Sequence, residues 1–159
     1  MAEDNKLHTI TPYLIIRNAA EAIKFYKQAF NATELFAMRF PGTNKILHAQ
    51  LIIGDSQLML SEEMPEMNEL SKGPELLGGS PVTIHLYCDD VDQTFKRAVD
   101  AGATVIMELM NTFWGDRYGR IQDPFGHHWS LAQPVEDVSP EEMNNRAEEI
   151  FGGENPPGC

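Results

Sequence analysis

The sequence contains the same predicted series of strands and helix twice, and this repetition limits the folds that the chain can adopt. The first copy opens with an apolar strand at 10–16, continues through an amphipathic helix at 18–30 and ends with three strands. A second copy opens with a strand at 82–88 and follows the same order, so that Asn31-Ala32-Thr33 aligns with Gly102-Ala103-Thr104. Repeated units fold into repeated structures. We therefore predict an α+β fold of two βαβββ modules.

Local signals set the expected bounds of these elements. Asn18 and Glu21 have the spacing of a helix-capping pair, and Asp90 and Gln93 repeat it in the second copy. Asn31 stands where a left-handed residue is expected to close the first helix. The remaining strands are predicted from alternating apolar residues between turn residues. They cover 33–40, 46–53 and 57–61 in the first copy, and 104–110, 118–122 and 127–133 in the second.

These elements predict one domain at 8–137, with module one at 8–62 and module two at 82–133. The connection at 63–81 is rich in proline, glycine and acid, and Glu62-Glu63 at its start is expected to be a solvated loop edge. Ser139 and Pro140 begin a short C-terminal helix at 139–151, which we expect to pack on the body of the protein or on a second subunit. The tail at 152–159 is predicted to be disordered.

The charge balance narrows the classes of partner. The chain of 159 residues has 12 basic and 24 acidic side chains, a net charge of −12, which argues against nucleic acid or an anionic membrane as a partner. Acidity is compatible with a cationic ligand, although it also serves solubility. No apolar run is long enough to span a membrane, and the first residues lack a secretion signal, so we expect a soluble, cytoplasmic protein.

The segment 118–131 carries the clearest candidate for a site wall. Asp123, Pro124 and Gly126 fit a type I turn between two strands. Side chains two residues apart share one face of a strand. On that face the two strands carry polar and aromatic residues where a plain sandwich core would carry valine and leucine: Tyr118, Arg120, Gln122, His128 and Ser130.

Four phrases together resemble the vicinal-oxygen-chelate superfamily: RNAAEAIKFY, its second copy CDDVDQTFKRAVDAGAT, the turn DPFG and the trailing VEDVSPEE. Within that superfamily the chain is similar to the glyoxalase and bleomycin-resistance group, and most of all to the small PhnB-like proteins. The resemblance implies that each module curls a four-stranded mixed sheet around half of a cup. It also implies a homodimer that completes the cup.

The same resemblance implies where a metal would be bound. Metal-dependent members take one ligand from each of four strands, and the family motifs carry these positions onto Thr11, Met59, Thr83 and Ser130. Hydroxyl and thioether groups are poor ligands for zinc, nickel or iron, so we expect neither a metal nor another cofactor. Inward neighbours remain as ligand-binding candidates: Tyr13, Ser61, His85 and His128.

The inward histidines leave two interpretations open. His85, His128 or His48 could act as a general acid or base, or each could be a hydrogen-bonded part of the cavity wall. If Thr83 lies beside Ser130, His85 and His128 are offset by four residues, about 13 Å along the strands. At that separation the two could not bind one ion.

Two other candidates come from the second module. Trp114, with Asp116 and Arg117, lies in a loop before a cup strand and could cover a flat or anionic ligand, or anchor a dimer. Arg120 points inward and requires a carboxylate, either from a substrate or from Glu108.

Two functions follow from these features. The first is a metal-free binding module, homodimeric, for a small aromatic or cationic molecule. The alternative is a lyase- or isomerase-type enzyme that uses an inward histidine for acid–base or metal-assisted chemistry on a small carbonyl or carboxylate substrate.

Overall fold

Each copy of the repeat folds into a four-stranded sheet with one helix, as the repetition predicts. The structure is a computed structural model that describes residues 7–153. Module one contains β1 (Tyr13–Ile16), α1 (Ala19–Phe30), β2 (Thr33–Arg39), β3 (Ile46–Ile53) and β4 (Ser56–Glu62). A four-residue helix, α2 (Pro74–Leu77), lies in the connection. Module two contains β5 (Thr83–Tyr87), α3 (Val91–Asp100), β6 (Thr104–Asn111), β7 (Asp116–Gln122) and β8 (His128–Pro134), and α4 (Pro140–Phe151) follows it.

Both sheets have the same strand order. It is β1-β4-β3-β2 in module one and β5-β8-β7-β6 in module two. The first and last strands of each module pair in parallel, and the other neighbours are antiparallel, so both sheets are mixed. This arrangement confirms the predicted α+β fold of duplicated modules with a short C-terminal helix. It also leaves β1 and β5 as edge strands, each beside the strand that ends its own module.

The helices α1 and α3 cover one face of the sheets, and the core forms there. Alternate strand residues face these helices and are buried: Leu14, Ile16, Leu58 and Leu60 in module one, and Ile121, Trp129 and Leu131 in module two. Because successive strand residues point to opposite faces, the residues between them lie on the face that neither helix covers. We call this the open face. It carries the candidate site.

The start of α1 differs from the prediction. Asn18 has φ 62° and makes no side-chain capping bond. Glu62, at the end of β4, instead accepts hydrogen bonds from the backbone N–H groups of Asn18 at 2.9 Å and Ala19 at 3.2 Å. A carboxylate beside these unpaired N–H groups also interacts favourably with the helix dipole. Asn18 is therefore not the side-chain cap that its spacing from Glu21 predicted.

Glu62 and Glu63 do not form the solvated loop edge that we predicted. Glu62 is 9% exposed. Glu63 accepts from Arg17 Nε at 3.1 Å and from the backbone N–H of Gly73 at 2.7 Å, which ties the connection to the end of β1. In module two a side-chain amide takes the place of the Glu62 carboxylate at the start of α3. Gln133 accepts a hydrogen bond there from the backbone N–H of Val91 at 3.1 Å.

Other terminal signals are confirmed. Asp90 accepts from the backbone N–H of Gln93, Ser139 accepts from that of Glu142, and Asn31 is left-handed with φ 54°. The C-terminal helix lies on module two, where Arg146 donates to the carbonyl oxygen of Phe113 at 3.2 Å. Of the predicted tail at 152–159, residues 154–159 lie outside the described part of the chain.

A buried carboxylate joins the two modules. Asp123 is 2% exposed, and its Oδ2 accepts from the Tyr26 hydroxyl of α1 at 2.6 Å and from Trp129 Nε1 at 3.0 Å. Its Oδ1 accepts from the backbone N–H groups of Phe125 and His127, both at 3.0 Å, which confirms the predicted turn. Burial, and after it the negative charge of Asp123, raises the pKa of the Tyr26 hydroxyl well above its ordinary value.

Candidate functional site

The register of module two places the predicted wall residues in rows on the open face. Arg120 of β7 lies opposite Ser130 of β8, which lies opposite His85 of β5. The next row contains Gln122, His128 and Thr83, in the same strand order. Tyr118, two residues before Arg120, lies on the same face. The strands thus bring together the polar and aromatic residues that the alternation pointed to.

His85 and Ser130 form the shortest polar contact in these rows. His85 Nδ1 lies 2.7 Å from Ser130 Oγ, and Ser130 is only 3% exposed. The imidazole ring meets Tyr87 edge-on at 4.6 Å between centroids and stacks at 6.2 Å on Tyr118. His85 itself is exposed, and within residues 7–153 its Nε2 atom has no hydrogen bond. That nitrogen is free to meet a ligand.

Arg120 does not have the protein carboxylate that we considered for it. Its Nη2 donates to Thr83 Oγ1 at 3.0 Å, while Glu108 is exposed and makes no ion pair with it. The Nε atom is buried and has no hydrogen-bond partner in the described part of the chain. The guanidinium therefore keeps part of its donor capacity unused.

The open face of module one has a different character. Tyr13 is 49% exposed, and its hydroxyl lies 2.9 Å from His48 Nδ1. The other ring nitrogen of His48 lies 3.4 Å from Gln50 Nε2, and the Phe36 ring lies 5.7 Å from the imidazole. Both nitrogens of His48 are thus engaged, which favours its interpretation as part of a wall. Ser61 pairs with Ile15 across β1 and β4.

The strand register does not pair the four residues that the resemblance assigned to metal ligands with one another. Met59 lies opposite Tyr13 in module one, just as Ser130 lies opposite His85 in module two. Thr83 lies opposite His128 instead, and Thr11 precedes β1. The assumption that Thr83 lies beside Ser130 is therefore wrong.

The residues that the register pairs with Met59 and Ser130 do not complete a site for a divalent metal. The two pairs carry a phenol, a thioether, an imidazole and a hydroxyl, from Tyr13, Met59, His85 and Ser130. Only the imidazole is an ordinary ligand of zinc, nickel or iron, and its Nδ1 is already bonded to Ser130. Across residues 7–153, no three His, Cys, Asp or Glu side chains are placed to hold an ion.

The predicted separation of His85 and His128 is wrong. Because Thr83 pairs with His128 and His85 with Ser130, the histidines are offset by two residues and not four. That offset corresponds to about 7 Å along the strands. The error came from the assumption that Thr83 pairs with Ser130, whereas it pairs with His128.

A cleft of about 780 Å³ lies between the edge strands β1 and β5, which are not hydrogen-bonded to each other. It takes residues from both modules and from the starts of β4 and β8. Four predicted site residues line it: Tyr13, Thr83, His85 and His128. The other predicted residues lie outside its lining: Thr11, His48, Met59, Ser61, Trp114, Tyr118, Arg120 and Ser130.

The sequence analysis missed Gln57 as a cleft residue. Gln57 lines the cleft, is 5% exposed, and has a buried Oε1 atom with no hydrogen-bond partner among the described residues. It lies two residues before Met59 on the same face of β4. Extending the alternation backward from Met59 would have found it.

The loop before β7 places Trp114 beside the open face. The Trp114 ring lies 5.5 Å from that of Tyr118, and its Nε1 donates to Asp116 Oδ2 at 3.1 Å. Arg117 points elsewhere, because its Nε and Nη2 both donate to the Asp92 carboxylate at 2.7 Å. That ion pair lowers the pKa of Asp92. The charged pair predicted to hold a ligand is thus engaged within the protein.

Comparisons with known proteins agree with this architecture. The sequence model of the Glyoxalase/Bleomycin resistance protein/Dioxygenase superfamily matches residues 6–131. An uncharacterized protein of Mycobacterium bovis is 50% identical over 136 residues, which cover 84% of this chain and 88% of that protein.

Solved structures show the same fold. One from Pseudomonas aeruginosa has 29% sequence identity and a TM-score of 0.64, and the match covers 82% of this chain and all (100%) of that one. The PhnB protein from Bacillus cereus has 17% identity and a TM-score of 0.61, with 79% and 99% of the two chains covered. In the described residues no helix is long and apolar enough to cross a membrane. The duplicated modules and the match over most of the chain lead to one conclusion: this protein belongs to the glyoxalase/bleomycin resistance protein/dioxygenase superfamily.

Proposed function

We propose that this protein binds a small molecule without the divalent metal centre of the metal-dependent superfamily members. The observation that carries this proposal is the donor set of the paired residues Tyr13 and Met59 in module one and His85 and Ser130 in module two, in which only His85 is an ordinary ligand. The cleft volume of about 780 Å³ is in the range of small-molecule sites, and its lining combines apolar and aromatic side chains with a few polar groups.

Homodimerisation is part of the proposal. Several large apolar side chains on the open faces are 41–68% exposed in the single chain, and exposed apolar surface of this kind is typical of protein–protein contacts: Tyr13, Phe36, Met38, Tyr87, Met107 and Met110. A second copy placed by a two-fold axis would cover both faces. Sedimentation at micromolar concentration is expected to give twice the chain mass, and a monomer there would count against this part.

The function is tested by ligand screening with and without a chelator. We expect at least one small aromatic or charged metabolite to raise the melting temperature of the purified protein, with the same shift in excess EDTA. The reason is that the contacts available in the cleft come from side chains of the protein. A ligand shift that EDTA abolishes and zinc or nickel restores would contradict the proposal.

A second candidate function is supported by His85. His85 lines the cleft and is exposed, and Ser130 holds one of its nitrogens, an arrangement that would orient the other as a general acid or base. Once a ligand is found, His85→Gln separates the two functions. A binding wall keeps most of its affinity after this change, whereas an enzyme loses turnover while it still binds.

A further inference from the structure

Arg120 forms no ion pair with a carboxylate, and neither do Arg39, which is exposed, and Arg97, whose donors meet oxygens of Ala29, Gln93 and Thr94. Arg17, Arg117 and Arg146 all form ion pairs with carboxylates. For Arg120, no carboxylate of residues 7–153 comes within ion-pair distance, although the chain has 24 acidic and only 12 basic side chains. Of the three arginines without an ion pair, only Arg120 has a buried N–H group that lacks an acceptor among the described residues.

The guanidinium is also incompletely hydrogen-bonded. Nη2 donates to Thr83 Oγ1 at 3.0 Å, and the buried Nε has no partner within the described chain. A buried donor without an acceptor destabilises the folded protein. Since a planar guanidinium presents its N–H groups in a fork that matches two carboxylate oxygens, the missing partner has the chemistry of a carboxylate.

The surroundings of Arg120 are compatible with such a ligand. Across the strands its neighbours are Met107 and Ser130, and the row continues to His85, so no side chain in that row carries a negative charge. Tyr118 lies on the same face, and its ring stacks on that of His85 with an interplanar angle of 22°. Flat aromatic surface thus lies next to the unpaired cation.

We propose that Arg120, together with Thr83, binds the carboxylate of a small aromatic acid whose ring contacts Tyr118 and His85. This inference rests on the proposed ligand-binding function and deepens it by naming the ligand's charge. It also reverses the expectation of a cationic ligand drawn from the net charge of −12, because the local charge of this face is set by Arg120.

Three compounds with one ring and different charges test the inference. Benzoate, benzamide and benzylamine are titrated into the isotope-labelled protein at millimolar concentrations, and binding is followed by NMR at the Arg120 Nε–H and the Thr83 backbone signals. We expect benzoate to bind at least about tenfold more tightly than the other two and to shift both signals. Equal affinities, or tighter binding of benzylamine, would overturn the inference, as would the absence of any benzoate binding.

Matched variants identify the residue responsible. Arg120→Gln is expected to lose at least about tenfold in benzoate affinity and to lose clearly less in benzamide affinity, since benzamide carries no charge to pair with the guanidinium. Arg39→Gln, which removes an exposed arginine from module one, should change neither. A backbone NMR spectrum shows whether Arg120→Gln is folded, and Arg120→Lys, which keeps the charge without the fork, is expected to be intermediate. Unchanged benzoate affinity in a folded Arg120→Gln protein would refute the inference.

Failure of the carboxylate inference can be distinguished from failure of the proposed metal-free function. If uncharged or cationic ligands bind the cleft independently of Arg120 and of EDTA, the function stands and the carboxylate inference falls. If benzoate binds through Arg120 but natural ligands bind only with added metal, the inference stands and the metal-free function falls.

Discussion

Asp123→Ala is expected to lower the free energy of unfolding by roughly 3–5 kcal/mol. The substitution removes the acceptor of four hydrogen bonds, two from side chains and two from backbone N–H groups. All of these groups lie where helix α1 of module one meets the turn of module two. Since Asp123 is 2% exposed, water cannot easily replace the lost acceptor. Urea denaturation followed by tryptophan fluorescence and circular dichroism measures the change.

Two comparisons isolate the cause of that loss. Tyr26→Phe removes one donor and leaves the carboxylate with its three others, so we expect a smaller loss of about 1–2 kcal/mol. Asp137→Ala removes an exposed carboxylate and should be close to neutral. A loss in the free energy of unfolding of less than about 1 kcal/mol for Asp123→Ala is on the order of one ordinary hydrogen bond. Such a small loss would contradict the conclusion that the buried carboxylate joins the modules.

Gly115→Ala is the second change with a large expected effect, again roughly 3–5 kcal/mol of unfolding free energy. Gly115 has φ 101°, a conformation that alanine adopts only with strain. A Cβ atom there would overlap the carbonyl oxygen of Glu136 and lie 3.0 Å from Val138 Cγ2. The backbone N–H groups of Val135 and Glu136 also donate to the Gly115 carbonyl, at 2.9 and 3.0 Å, so the loop cannot move away without losing them.

Gly54→Ala is the matched control. Gly54 has φ 59°, but a Cβ atom there meets nothing within 4 Å, so only the backbone strain of about 1 kcal/mol remains. Because Trp114 and Asp116 flank Gly115, the variant should also shift the indole that contacts Tyr118, which near-ultraviolet circular dichroism detects. Equal losses in the two variants would show that the Gly115 loop is not closely packed against 135–138.

The architecture could be predicted from the sequence because its strands, helices and turns follow from patterns of neighbouring residues. Residues close together in sequence determine the two strand–helix–strand series. They also determine the left-handed conformation of Asn31 and the helix cap at Asp90. The face shared by Tyr118, Arg120 and Gln122 followed from alternation alone. These predictions needed no knowledge of which distant strand lies beside which.

The incorrect predictions all depended on contacts between distant segments. Glu62 caps α1 only because β4 ends beside the start of that helix, so nothing local distinguished it from a solvated loop residue. The pairing of His85 with Ser130 depends on the register of parallel strands, and a displacement of two residues keeps every side chain on the same face. Alternation could therefore identify the wall but could not align its rows.

The metal content of the purified protein tests the central claim most directly. After expression in medium that contains zinc, nickel, iron and manganese, and dialysis without a chelator, elemental analysis is expected to find far less than one divalent ion per chain, because Tyr13, Met59 and Ser130 supply poor ligands beside His85. One tightly held equivalent that is lost in His85→Ala would contradict the account, since it would place a metal at the site that the donor set excludes.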